Sequence, residues 1–242
     1  MVSSRVALFT ITLLVPLFVI GNESGNELPS SDYLAVGNYC YLSSVPDGEN
    51  QKKVVAKVSK KIVKKGDKTF IAIHQIMPSR NFNMKDEFVL NRDMTPTHFY
   101  HSRMGGKSLS IDYDFDGDST SVFLLGQQTN KDGFSLMFDG KLWEGNLWGT
   151  LFTALPLQHN TTFSIPTYHY QNGLSQLEIV GVRKNDIVFN KQSIPVFEVD
   201  VNASGLITTY FISVEDRIEL GYENSAFSQW IGGNCNDMKS LN

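Results

Sequence analysis

Leu-Trp-Glu-Gly-Asn-Leu-Trp-Gly-Thr-Leu-Phe-Thr-Ala-Leu-Pro, residues 142–156, is the stretch of this chain that breaks with strand-like patterning. Leu142, Trp143, Leu147, Trp148, Leu151, Phe152 and Leu155 recur at spacings that suit a helix with a broad apolar face. Gly145 and Gly149 weaken that helix, and Pro156 ends it. The same residues are the best candidates for contact with an apolar ligand, Trp143, Leu147, Trp148, Leu151 and Phe152 above all. The competing reading is that the two tryptophans fill the space between helix and sheet, because aromatic residues at helical spacing are usually core.

Outward from this segment, both flanks read as strands. On the N-terminal side, 54–63 and 69–77 are rich in β-branched residues and are joined by a turn at Lys65-Gly66-Asp67. Segments 87–91, 97–104 and 108–116 follow, with turns around Asp93 to Pro96 and at Gly105-Gly106. Asp116-Gly117 leads into 121–126, and Lys131-Asp132-Gly133 into 134–138. Beyond Pro156, strand patterns cover 161–165, 174–183, 196–201, 206–214 and 217–222. With no alternation of strands and helices, the fold class expected is mainly β. It is a single curved antiparallel sheet of about ten strands, an open half-barrel wrapped around one central helix.

The N-terminus reads as an export signal. Arg5 precedes an apolar run from Val6 to Ile20, and Val19 and Gly21 are small enough for cleavage after Gly21. Fifteen helical residues span roughly 22 Å, short of the ~30 Å hydrocarbon core, although an uncleaved signal anchor is the alternative. The expected organisation is therefore a signal peptide at 1–21, a disordered lead at 22–32 and a single β-rich domain at 33–242. A periplasmic or secreted protein that does not span a membrane after cleavage follows from this. Twenty-one basic against 25 acidic residues give a net charge of −4, which disfavours nucleic acid as a partner.

Cys40 and Cys235 sit near opposite ends of the mature chain. In an oxidising compartment a disulfide between them is plausible, and two buried free thiols are the alternative. Lys52, Lys53, Lys57, Lys60, Lys61, Lys64 and Lys65 mostly read as the wet side of a strand pair, where edge lysines also discourage aggregation, with a polyanion site as the alternative.

Asp112, Asp114, Asp116 and Asp118, with Gly117 between the last two, resemble the first half of a calcium loop. Phe123 stands where such a loop needs a bidentate Glu, and Ile111, Tyr113 and Phe115 alternate with the aspartates as on a half-wet strand. Calcium is thus a possible cofactor and a solvated strand face the plainer reading. His98 and His101, three apart on a strand, point to opposite faces and do not ligate a metal together. Neither a Gly-x-Ser-x-Gly elbow nor a phosphate-binding glycine loop occurs.

Several phrases line up in order: Asp93-Met-Thr-Pro96, the Ser108–Asp116 segment, Ala154-Leu-Pro-Leu157, Gln176–Gly181, Ile194-Pro-Val196 and Thr209-Tyr-Phe-Ile212 with Asp216-Arg217. Across roughly Tyr33 to Glu223 they resemble a bacterial family of periplasmic domains of unknown function whose fold is similar to the lipoprotein carriers LolA and LolB. The resemblance implies a curved sheet whose concave side could hold acyl chains, and no catalytic residues. The leading functional expectation is a non-enzymatic exported protein that binds a hydrophobic small molecule, a lipid or a lipidated protein. Its rivals are a cell-envelope interaction module with a packed core and a calcium-dependent hydrolase using the Asp112–Asp118 segment.

Overall fold

The structure, a computed structural model, describes residues 29–49, 51–126, 134–203 and 205–241. The expected signal peptide, residues 22–28 of the expected lead and the Lys131-Asp132-Gly133 turn lie outside the described residues. Fifteen strands run in chain order: β1 (Gly37–Pro46), β2 (Lys52–Lys65), β3 (Lys68–Met77), β4 (Phe82–Leu90), β5 (Pro96–Arg103), β6 (Lys107–Asp116), β7 (Ser119–Gly126) and β8 (Phe134–Asp139). A two-residue β9 (Trp143–Glu144) and the single α-helix described, α1 (Trp148–Thr153), come next. Then follow β10 (Phe163–His169), β11 (Gly173–Phe189), β12 (Gln192–Ala203), β13 (Leu206–Ser213), β14 (Glu219–Glu223) and β15 (Ser228–Ile231).

All fifteen belong to one sheet in the order β8-β7-β6-β5-β4-β3-β2-β1-β15-β14-β13-β12-β11-β10-β9. Each half is a meander, so neighbours in sequence are neighbours in space. Gly66 and Gly117, with φ of 61° each, open two-residue hairpin turns closed by the pairs Lys65/Lys68 and Asp116/Ser119. The two halves join at β1 and β15, which pair through Tyr41/Ile231 and Leu42/Trp230. The Cys40–Cys235 disulfide closes the same junction, with Cα atoms 5.6 Å apart.

This corrects the expected architecture. The sheet is open and mixed rather than a ten-strand half-barrel around a helix, because β9 runs parallel to β10 while the other pairings are antiparallel. Only six residues of the 142–156 segment are α-helical. Trp143 and Glu144 instead satisfy backbone groups by pairing with Thr167 and Tyr168, and the Gly145 N–H donates to the Tyr168 carbonyl at 2.8 Å. A short helix interrupted by two glycines gains too few hydrogen bonds to offset its nucleation cost, so pairing with β10 wins.

The inner face carries a continuous apolar row across six strands: Ile62, Ile71, Phe88, Phe99, Ile111 and Leu124, each opposite the next. All six are buried. They share one core with Leu147, Leu151 and Phe152 of the α1 segment and with Ile179, Val199 and Ile212 from the far half of the sheet. The sheet is coiled enough that the ring of Tyr170, just past β10, lies 6.2 Å from that of Phe99 on β5. A smaller cluster on Val196, Phe211 and Leu220 includes Ile187 and Trp230. Trp230 stacks on both Phe189 and Phe211. At the start of the described chain the Ser30 N–H donates to Ala154 O at 2.8 Å and Ser31 N–H to Arg92 O at 2.7 Å. Among the described residues no helix is long and apolar enough to cross a membrane.

Candidate ligand-binding cavity

One residue pair along each strand from the apolar row, on the same face, the lining changes character. That next row reads Lys60, Ile73, Asp86, His101, Leu109, and the one after it Val58, Gln75, Met84. Period-two geometry makes the placement unavoidable. Lys60 shares parity with Val58 and Ile62, Asp86 with Phe88 and Leu90, and His101 with Phe99. From the other half of the sheet, Glu219, Tyr210, Tyr222 and Gln229 face the same space, and the segment Gly145–Thr150 roofs it. The result is a cavity of ≈ 280 Å³.

Its charged groups are buried. Lys60 Nζ donates to Glu219 Oε2, and the two side chains are only 8% and 5% exposed. The Tyr41 hydroxyl donates to the Glu219 carbonyl at 3.1 Å, and the Lys60 ammonium sits 5.2 Å from the Tyr41 ring centroid. Gly149 packs directly beside this pair, and a Cβ there would force the Glu219 carboxylate to shift. His101 Nδ1 donates to Asp86 Oδ1 at 2.6 Å. The Tyr170 hydroxyl reaches His101 Nε2 at 3.5 Å.

Behind the roof lies Glu144, fully buried. Asn146 donates to it twice, from Nδ2 to Oε1 at 2.6 Å and from the backbone N–H to Oε2 at 3.2 Å. Burial pushes its carboxyl up to about 8, against the pull of the Asn146 bonds, and the negative charge of Asp86 adds to the rise. The hydroxyls of Tyr113 and Tyr168 are buried without a hydrogen-bond partner. Both phenols are raised, by burial first and then by the Glu144 charge.

The five aromatic and aliphatic candidates from 143–152 divide here. Leu147 and Trp148 line the cavity. Trp143, Leu151 and Phe152 are core, Trp143 donating Nε1–H to Asp93 O at 3.1 Å and Phe152 meeting Tyr210 edge-on. Asp112 and Asp114 lie on the exposed face of β6 and Asp116 and Asp118 at its turn end, while Ile111 and Tyr113 point inward. Asp112 is occupied by His98 Nδ1 at 2.6 Å. Among the described residues no group of three or more His, Cys, Asp or Glu is placed to hold a metal ion. His98 is half exposed while His101 is buried, on opposite faces as their spacing requires.

The lysine run needs correcting too. β2 lies between β1 and β3 rather than at an edge, and Lys57 and Lys60 are buried while Lys52, Lys53, Lys61, Lys64 and Lys65 are exposed. Lys57 extends to the Asp237 carbonyl at 3.2 Å, under the C-terminal segment. Asp86 and Glu219 were not singled out from sequence. For Asp86 the available signal was parity with Phe88 and Leu90 on its own strand, whereas a register shift beside Leu220 breaks the alternation next to Glu219, so no such signal marked it.

A larger hollow of ≈ 690 Å³ opens at the turn end of the sheet, beside Asp32, Arg92, Asp93, Asp118 and Lys141. Arg92 pairs there with Asp32 and Lys141 with Asp93, so its principal charges already neutralise each other at the surface. The smaller cavity, with buried charge on its walls, is the stronger site.

Residues 48–221, well over half of the chain, match the family described as a protein of unknown function, DUF3108, and the chain belongs to that family. No curated protein matches the chain.

Proposed function

We propose that this chain is an exported, non-enzymatic binding protein that takes a small amphiphile into the cavity beneath α1. The amphiphile is a free molecule or the tip of a lipid or lipidated partner. The observation that carries the reading is the mixed lining of the cavity. Val58, Ile73, Met84, Leu147 and Trp148 supply apolar surface, interleaved with the polar groups of Lys60, Asp86, Gln75 and Glu219. Ligand sites combine apolar surface with a few placed polar groups in this way, in volumes of about 300–1,000 Å³. At ≈ 280 Å³ this cavity suits a small ligand rather than a whole acyl chain. A packed interaction module would fill this space, so the open cavity favours binding. For a hydrolase on the Asp112–Asp118 segment, the dispersed outer-face carboxylates offer no convergent site.

Native mass spectrometry of the exported protein, purified without detergent, tests the proposal. A mass excess removed by organic extraction is expected, together with a fluorescence change on adding a short-chain amphiphile that Trp148→Phe diminishes. A bare mass and no response to any amphiphile would refute it.

A further inference from the structure

Building on the binding reading above, we infer that the cavity selects an organic cation, an ammonium group on a short apolar chain, with Asp86 as its counter-ion. The charge inventory of the walls leads there. Two carboxylates, Asp86 and Glu219, face one ammonium, Lys60. Lys60 is committed to Glu219 and Asp86 pairs with His101, so among the described residues Asp86 has no lysine or arginine partner. Asp86 is 5% exposed and lines the cavity. Its Oδ1 accepts from His101, and its Oδ2 accepts from no side chain among the described residues. The other nitrogen of His101 faces the Tyr170 hydroxyl at 3.5 Å, so the imidazole is held between Asp86 and Tyr170 and leaves the second Asp86 oxygen open.

A cation bound at the open oxygen would add a charge-assisted hydrogen bond to a buried carboxylate, which is stronger than a neutral one. The negative field of Asp86 is felt by its surroundings: it raises Glu144 and Tyr170, and it opposes the lowering of His169 by burial. Three aromatic rings, Trp148, Tyr210 and Tyr222, line the same space. Such rings attract a cation over their faces, Trp most strongly, and Lys60 over Tyr41 already uses this chemistry next door. The apolar surface of Leu147, Met84 and Ile73, interleaved with the polar groups, then contacts the chain that carries the ammonium.

The test is a calorimetric titration of the full exported chain with three probes of equal tail length: octylammonium, octanol and octyl sulfate. A fourth probe, short-chain phosphatidylethanolamine, presents the ammonium on a lipid headgroup. The expected result is that an ammonium binds about tenfold or more tighter than octanol, corresponding to roughly 1.4 kcal/mol, and octyl sulfate no tighter than octanol. Either ammonium source satisfies the inference, and the tighter of the two names the source. Asp86→Asn, close in shape and able to keep the His101 contact, should bring octylammonium to within about twofold of octanol. Should that variant not fold, Tyr222→Leu at a half-buried position should cut the ammonium preference about three- to tenfold while octanol binding persists. Equal binding of octylammonium and octanol, or a preference for the sulfate, would overturn cation selection and leave the binding reading standing. Binding of none of the probes would overturn both.

Discussion

Glu144 is the residue whose chemistry is furthest from its ordinary state. Burial pushes its carboxyl from an ordinary 4.5 up to about 8 in the fold. Between those two values the folded chain keeps a proton that the unfolded chain gives up. Stability therefore falls as pH rises through that window, and the penalty is complete above about pH 8. Because the group is fully buried, the penalty is on the order of 5 kcal/mol at most. Glu144→Gln stays neutral throughout, so it should gain on the native chain as pH rises. Urea unfolding at pH 5 and pH 9 checks this: the two proteins should lie close at pH 5 and separate at pH 9 with the variant more stable. Parallel pH dependences would show that Glu144 ionises freely. Little of this was legible beforehand, since Glu144 sat in a segment expected to be helical, where a lone Glu between Trp143 and Gly145 passes for solvated. What fixes its burial is the pairing of β9 with β10, which no local pattern encodes.

Among the elements, α1 shows where local patterning reached its limit. The apolar spacing in 142–156 correctly marked a segment unlike its surroundings and facing the core, and Leu147, Leu151 and Phe152 are buried there. It overstated the helix, because spacings of three and four also arise where a short strand runs into one helical turn. Gly149 reveals the real constraint on this element. In an ordinary helix Gly→Ala stabilises by about 0.5–1 kcal/mol. Here the added methyl would meet the Glu219 carboxylate and displace it from Lys60. Gly149→Ala should therefore destabilise, by roughly 1–3 kcal/mol as overpacking next to a buried ion pair commonly does. Thermal unfolding measures the sign, and a variant as stable as the native chain or more so would mean that α1 can withdraw from Glu219 without cost. Strands fared better than the helix. The expected segments from 54–63 to 134–138, and those from 161–165 to 217–222, fall on β2–β8 and β10–β14, usually within a few residues. Period-two alternation and Gly turns are local signals.

At the scale of the whole molecule, what escaped the sequence was the join. β1 and β15 were not anticipated, because Tyr39-Cys40-Tyr41 has little alternation and β15 is only four residues long. Yet these two strands sit at the middle of the sheet and connect a meander of residues 37–139 to one of residues 143–231. Pairing across such a separation carries a large loop-closure cost that only the finished fold repays. The junction itself is short, four paired positions between β1 and β15 and three between β14 and β15. The Cys40–Cys235 disulfide spans 195 residues at this same place, so it constrains the unfolded chain at the contact that is hardest to form. Chain-entropy reasoning assigns a loop this long about 5 kcal/mol, and disulfides typically deliver roughly 2–4 kcal/mol. Replacing both cysteines, Cys40→Ser with Cys235→Ser, should lower the unfolding free energy by roughly 2–4 kcal/mol, read as a lower urea midpoint. Refolding should slow more than unfolding quickens, provided the junction is already formed in the folding transition state. Denaturation of the native chain with and without reductant, followed beside the double variant, makes the comparison. Reduced and double-variant proteins should coincide. If both matched the oxidised protein, the seven paired positions of β15 alone would hold the two meanders together and the disulfide would add no stability.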